Sequence, residues 1–350
     1  MKVHVALVDQ LANAGLGRSA YRLGAVSDVL KDATVEALSE RRLSDGKNAY
    51  HLMAANSYSI PVDKLNEKVL LIPDHDGNTP LHYIGGTTAL NNLPARLMTT
   101  ETLFVKNNKG ATPLTNILSS GGIKRVPARF ITKETLLSTS EDGQTNLYQM
   151  AKFKHFADLP AVFKTQAILE TRNPMAVMGC EYEAATIFHA LATSGSLDEI
   201  PEKLLTDENM ALRDHYNRTP IHYAALNRKL SAVEPRLLTQ ESVTKRDLSK
   251  RTVLHIVAVM EDLGYIPLDL LTPANLALEN KDGESVVKLL SQRESWKGLP
   301  PCNWQKHEYS KHVGDMMAWR ILFEKNKLPL PPALLQEWAP MEKDGDWQQL

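Results

Sequence analysis

The sequence predicts an all-α solenoid of about ten stacked helical units. Three observations carry that expectation. Thr79-Pro80-Leu81-His82 returns as Thr112-Pro113-Leu114-Thr115 and as Thr219-Pro220-Ile221-His222, with fainter copies led by Thr145, Thr186, Thr252 and Ser285. The lead residues are separated by 33, 33, 41, 33, 33 and 33 positions, a regularity that chance does not produce. Other landmarks keep the same phase: a large apolar residue eleven places after the lead (Leu90, Ile123, Phe156, Leu197, Leu230, Leu263, Trp296) and a proline four places later, at Pro94, Pro127, Pro160, Pro201, Pro267 and Pro300. A second threonine stands twenty places after the lead, as at Thr99, Thr132 and Thr239, and the unit ends on Leu103, Leu136, Leu169, Met210, Val243 or Leu276.

Each landmark has a physical reading. Thr-Pro starts a helix, because the hydroxyl caps free amides and proline at the first helical position loses no hydrogen bond. The alanines of Tyr223-Ala224-Ala225 let a neighbouring element approach closely. The apolar run from Leu90 to Met98 contains Pro94 and so is not one long helix; a second helix is expected to begin near the proline and to end at Leu97-Met98. The second threonine then caps one more helical turn, with Glu101, Glu134, Glu208 or Glu241 near its positive end. Asp76-Gly77 and Asp142-Gly143 turn the chain into the next unit. No unit can bury its own apolar stripe, so stacked units share one core.

Both ends carry worn copies. Residues 1–43 read as a degenerate N-terminal cap, 44–169 and 186–310 as repeats, and 311–350 as a degenerate cap repeat with a tail. All five tryptophans (Trp296, Trp304, Trp319, Trp338, Trp347) fall in the last 55 residues, and the first three occupy repeat positions, so they read as a seal on the stack rather than a separate module. The spacing of 41 places eight extra residues within 170–185. Three readings of that insertion stand: an adaptable contact loop built on Met175, Met178 and Tyr182, a loop folded over a core irregularity, or a join between two halves of the array.

A unit of 33 residues bearing Gly77-Asn78-Thr79-Pro80-Leu81-His82, with Ala224-Ala225 in a following turn, resembles the ankyrin repeat. The resemblance covers nearly the whole chain and departs from the family in the second half of each unit, which reads as in Pro201-Glu202-Lys203-Leu204-Leu205-Thr206-Asp207-Glu208. A short helical turn or a plain loop is expected there in place of β-hairpin fingers. The resemblance also implies that His51, His82, His189, His222 and His255 are structural, tying neighbouring units together, and that partners are held on a concave face and on the loops between units.

Composition bounds the chemistry. Forty basic and 41 acidic residues give a net charge of −1, which argues against a broad electrostatic grip on nucleic acid or anionic membrane. Two cysteines, Cys180 and Cys302, exclude a disulfide framework and a four-cysteine zinc site. His307 and His312 are five apart, off the spacing that puts two ligands on one helical face. No catalytic fingerprint, cofactor site or metal site is read, and no segment reads as membrane-spanning or as a signal peptide, so a soluble cytoplasmic chain is expected.

The function expected is a monomeric protein-binding scaffold or adaptor that does no catalysis. A regulatory or effector role, inhibiting a target enzyme, is the alternative, set in the host-cell cytoplasm if the protein is a delivered effector, and an enzyme using the C-terminal units is the weakest. Positions that vary between units supply the candidate contacts: His75, Asn108, Tyr182 and His215 four before the lead, Tyr83, Gln149 and Tyr223 four after it, with Tyr216, Met175 and Met178.

Overall fold

The computed structural model describes residues 33–291 apart from 57–61, 86, 140–142, 175–183 and 261–264. The expectations for residues 1–32, for Met175, Met178, Cys180 and Tyr182 in the insertion, and for Cys302, His307, His312 and the five tryptophans lie outside the described residues. Within them the chain is helical and forms no strand, only isolated bridges at Thr139–Thr145, Arg172–Thr186 and Glu279–Ser285. No helix among these residues is long and apolar enough to cross a membrane. The chain divides at the insertion into two compact units, residues 1–165 with 173–180 and residues 166–172 with 181–350.

The first unit is built on four leading helices: α1 (Ala49–Ala55), α2 (Pro80–Ile84), α3 (Pro113–Ser119) and α4 (Asn146–Lys152). Each starts where the sequence puts its cap. The Asn48 side chain accepts from the His51 amide at 3.1 Å, Thr112 from Thr115 at 3.3 Å and Thr145 from Tyr148 at 3.1 Å. Pro80 and Pro113 stand at helix starts. α1 packs on α2, α2 on α3 and α3 on α4, burying Leu81, Ile84, Leu114, Ile117, Leu147 and Met150. Gly85 ends α2 against α3, where an added Cβ would come within 2.5 Å of the Asn116 carbonyl oxygen.

The second unit repeats the plan with α5 (Ile187–Ser194), α6 (Pro220–Leu226), α7 (Val253–Met260) and α8 (Val286–Ser291), each packed on the next. Ile187, Phe188, Leu191, Ile221, Val253, Leu254 and Val257 fill its core, and Ala224 and Ala225 are wholly buried where the helices meet.

The second half of each repeat differs from the expected second helix. Two short 3-10 turns replace it, Thr88–Asn92 and Ala95–Leu97 in one repeat and Leu230–Ala232 and Pro235–Leu237 in another. Proline explains the break. Leu93, forced out of the helical region by the ring that follows, takes ψ 120°, and Pro94 itself takes ψ 132°, so the second turn starts after the ring. The eleventh-position residues Leu90, Ile123, Phe156, Leu197 and Leu230 are buried beneath these turns. The second threonine caps a last helical turn as expected: Thr99 precedes Thr100–Leu103, and Thr132 precedes Lys133–Leu137. Leu103, Leu136, Leu169, Val243 and Leu276, which close their repeats, are fully buried.

Candidate interaction surface

The connections between repeats are tight turns with one recurrent design. A buried or half-buried Asp or Asn stands five places before the lead residue, and its Oδ1 accepts main-chain amides two and four places on. Asp74 Oδ1 accepts from Asp76 at 3.0 Å and Asn78 at 2.8 Å, and Asn107 from Lys109 at 3.0 Å and Ala111 at 2.9 Å. In the second unit Asp247 accepts from Ser249 and Arg251, both at 2.8 Å, and Asn280 from Asp282 at 2.9 Å and Glu284 at 3.0 Å. The residue two before the lead turns the chain with positive φ. Glycine does so at Gly77, Gly110, Gly143 and Gly283, while Ala184, Asn217 and Lys250 hold φ of 55–58° without it.

Neighbouring turns are stitched together through their backbones. His75 donates its amide to the Asp45 carbonyl at 3.0 Å, and Asn108 to Asp76 at 3.0 Å. In the second unit Leu248 donates to Tyr216 at 2.9 Å and Lys281 to Ser249 at 2.8 Å. Main-chain groups are thereby satisfied while the side chains of His75, Asn108, Leu248 and Lys281 stay exposed. These turns are hydrogen-bonded to one another and open at their tips.

The repeated histidines tie one helix start to the next turn. Nδ1 of His51, His82, His189, His222 and His255 accepts the amide of its own capping residue at 2.9–3.2 Å. The ring proton therefore sits on Nε2, which donates to the carbonyl of Asn78, Ala111, Arg218 or Glu284 in the following turn at 3.0–3.2 Å. His222 Nε2 makes no such bond. Burial pushes the pKa of His51, His189 and His222 down to about 4, against a smaller upward pull from neighbouring carbonyls and carboxylates. Among the described residues, no group of three His, Cys, Asp or Glu is placed to hold a metal ion.

The candidate contacts separate clearly. His75 and Asn108 share the tips of the first unit, where Asn108 Nδ2 donates to the His75 carbonyl at 3.1 Å. Tyr83 is half-buried; its hydroxyl donates to Asp74 Oδ2 at 2.6 Å and Lys47 lies 4.7 Å over its ring. Gln149 is half-buried on α4. In the second unit exposed His215 meets half-buried Tyr216 edge-on at 5.3 Å, and Leu248 follows in the next turn. Tyr223 corrects the expectation made for it. It is 1% exposed, so it offers no contact area: its hydroxyl donates to Asp214 Oδ2 at 2.8 Å, and the Arg218 guanidinium, paired with Asp214, lies 4.8 Å from its ring. A place four after the lead faces the core in this unit, as Ala190 and Ile256 also do.

Sequence reasoning passed over one set of side chains. Arg172, Arg213 and Arg246 form a ladder along the second unit. Arg213 and Arg246 stand six places before their leads, a phase readable at a spacing of 33, but the insertion moves Arg172 to fourteen before Thr186 and hides the match. Its bridge to Thr186 repeats the pairing of Thr139 with Thr145 and restores the register.

No protein-family model matches the chain. A search of curated proteins finds none that matches it.

Proposed function

We propose that the chain is an ankyrin-like solenoid of about ten repeats that binds a protein partner through its inter-repeat turns and does no catalysis. The observation that supports this most is the stitched turn. Four successive-turn hydrogen bonds, two in each unit, hold the tip backbone while the side chains of His75, Leu248 and Lys281 stay exposed, as does Asn108, whose amide also donates to the His75 carbonyl. A rigid backbone lowers the ordering cost of binding, and varied exposed side chains give selectivity.

Affinity capture with the intact chain, followed by mass spectrometry, tests it. The partner set recovered is expected to shrink when His215→Ala and Leu248→Ala are combined, with the thermal unfolding midpoint unchanged because both side chains are exposed. An identical partner set from the double variant would remove the tips of the second unit from the mechanism.

A further inference from the structure

We propose that the arginine ladder of the second unit binds an extended acidic peptide, one whose carboxylates recur at every third residue. The inference rests on the protein-binding reading and gives the partner a chemistry.

The three guanidiniums are fixed by one nitrogen each. Arg172 Nη1 donates to the carbonyls of Ala184 at 2.8 Å and Arg213 at 2.5 Å. Arg213 Nη1 donates to Asn217 at 3.4 Å and to Arg246 at 3.1 Å, and Arg246 Nη1 to Glu279 at 3.0 Å. Each arginine thus reaches the backbone of the next, so the three stand in line, one repeat apart. Nε and Nη2 of all three make no hydrogen bond among the described residues.

The charges also find no ion-pair partner among the described residues. Asp214 and Asp247, next to Arg213 and Arg246 in sequence, are buried and paired with Arg218 and Arg251, and Glu170, two before Arg172, accepts from Gln166. Arg172 and Arg246 are exposed and Arg213 half-buried. Glu279 takes the fourth place in register and ends the row. A guanidinium held at one nitrogen is oriented in advance, and its remaining edge suits a carboxylate.

Spacing chooses the occupant. Packed helical repeats lie about 10 Å apart. A peptide in the polyproline II conformation has three residues per turn and rises about 3.1 Å per residue, so carboxylates three residues apart lie on one face and match that interval. Three cations neutralise only about three phosphates, too few to hold a nucleic acid at physiological salt, where non-specific binding needs a wider basic field.

Fluorescence anisotropy at low ionic strength, using the full chain and two labelled peptides of equal composition, tests the proposal. One peptide repeats Glu-Gly-Ser three times; the other groups its three glutamates at one end. The spaced peptide is expected to bind about tenfold more tightly. That preference is expected to vanish in the combined variant Arg172→Gln, Arg213→Gln, Arg246→Gln. Because Arg213 also ties two carbonyls, Arg246→Gln alone serves as the second variant, with an expected loss of about threefold and an unaltered unfolding midpoint. Equal affinity for the two peptides, or spaced-peptide binding unchanged in both variants, overturns the proposal. Tighter binding of a labelled nine-nucleotide single strand, lost in the triple variant, overturns the choice of partner. Should the peptides fail while capture through His215 and Leu248 succeeds, the protein-binding reading stands and the ladder falls.

Discussion

A buried histidine whose Nδ1 accepts an amide is a strong local device with a pH cost. In this chain Nδ1 already accepts an amide, so a proton arriving there would face a donor and leave the buried ring charged. His51, His189 and His222 consequently hold pKa values of about 4, below the 6.5 of an exposed imidazole. The sign follows. Above pH 6.5 both folded and unfolded histidines are neutral and the fold keeps its full stability. Between 6.5 and 4 the unfolded chain takes up protons that the folded chain refuses, so stability falls as pH falls. At pH 5 the loss is expected to be about 2 kcal/mol for each of the three, given 1.36 kcal/mol per pH unit. Urea unfolding followed by circular dichroism at pH 7 and pH 5 measures it; a midpoint that does not move would mean that these rings titrate normally in the fold.

At the scale of the element, the repeat works through its turns more than its helices. The closing helical turns are four or five residues long and could not persist alone. What holds them is a cap at the start, an apolar residue tucked into the core at the end, and a tight turn into the next lead. One turn carries strain that can be relieved. Lys250 takes φ 55° where Gly110 and Gly283 take 79° and 70° in the matching place. The left-handed conformation costs an L-residue about 1–2 kcal/mol, and glycine gives back about 0.5–1 kcal/mol of that through its freer unfolded chain. Lys250→Gly is therefore expected to stabilise the second unit by about 0.5–1 kcal/mol, read as a higher urea midpoint. Ala224→Val, by contrast, adds volume at a position with no exposure and is expected to lower it.

For the whole molecule, the proposed array makes a prediction that a compact fold does not. A chain of 350 residues folded as one compact body would have a radius of gyration of about 20 Å. An array of ten repeats continuous through the insertion, as proposed, would exceed that in small-angle scattering, and a value near 20 Å would sink the proposal.

Most of the local architecture was legible in the sequence because its causes are local. A capping threonine, a proline at the first helical position and an apolar residue at a fixed offset act within a few residues of themselves, so a period of 33 shows them directly. The 3-10 turns were not legible. Pro94 announced a break, but not that the turn after it would be a single 3-10 turn, Ala95–Leu97, ended by Met98 at ψ 83°. Side-chain direction was the other limit. Tyr83 and Tyr223 share a position and a hydroxyl partner type, yet one is half-buried and the other buried. The arginine ladder likewise exists only once turns of successive repeats lie side by side. The sequence by itself determined the period, the caps and the all-helical class, since each is written in near neighbours. Tertiary packing alone decided which exposed-looking residues are open, because solvent access depends on what the adjoining repeat covers.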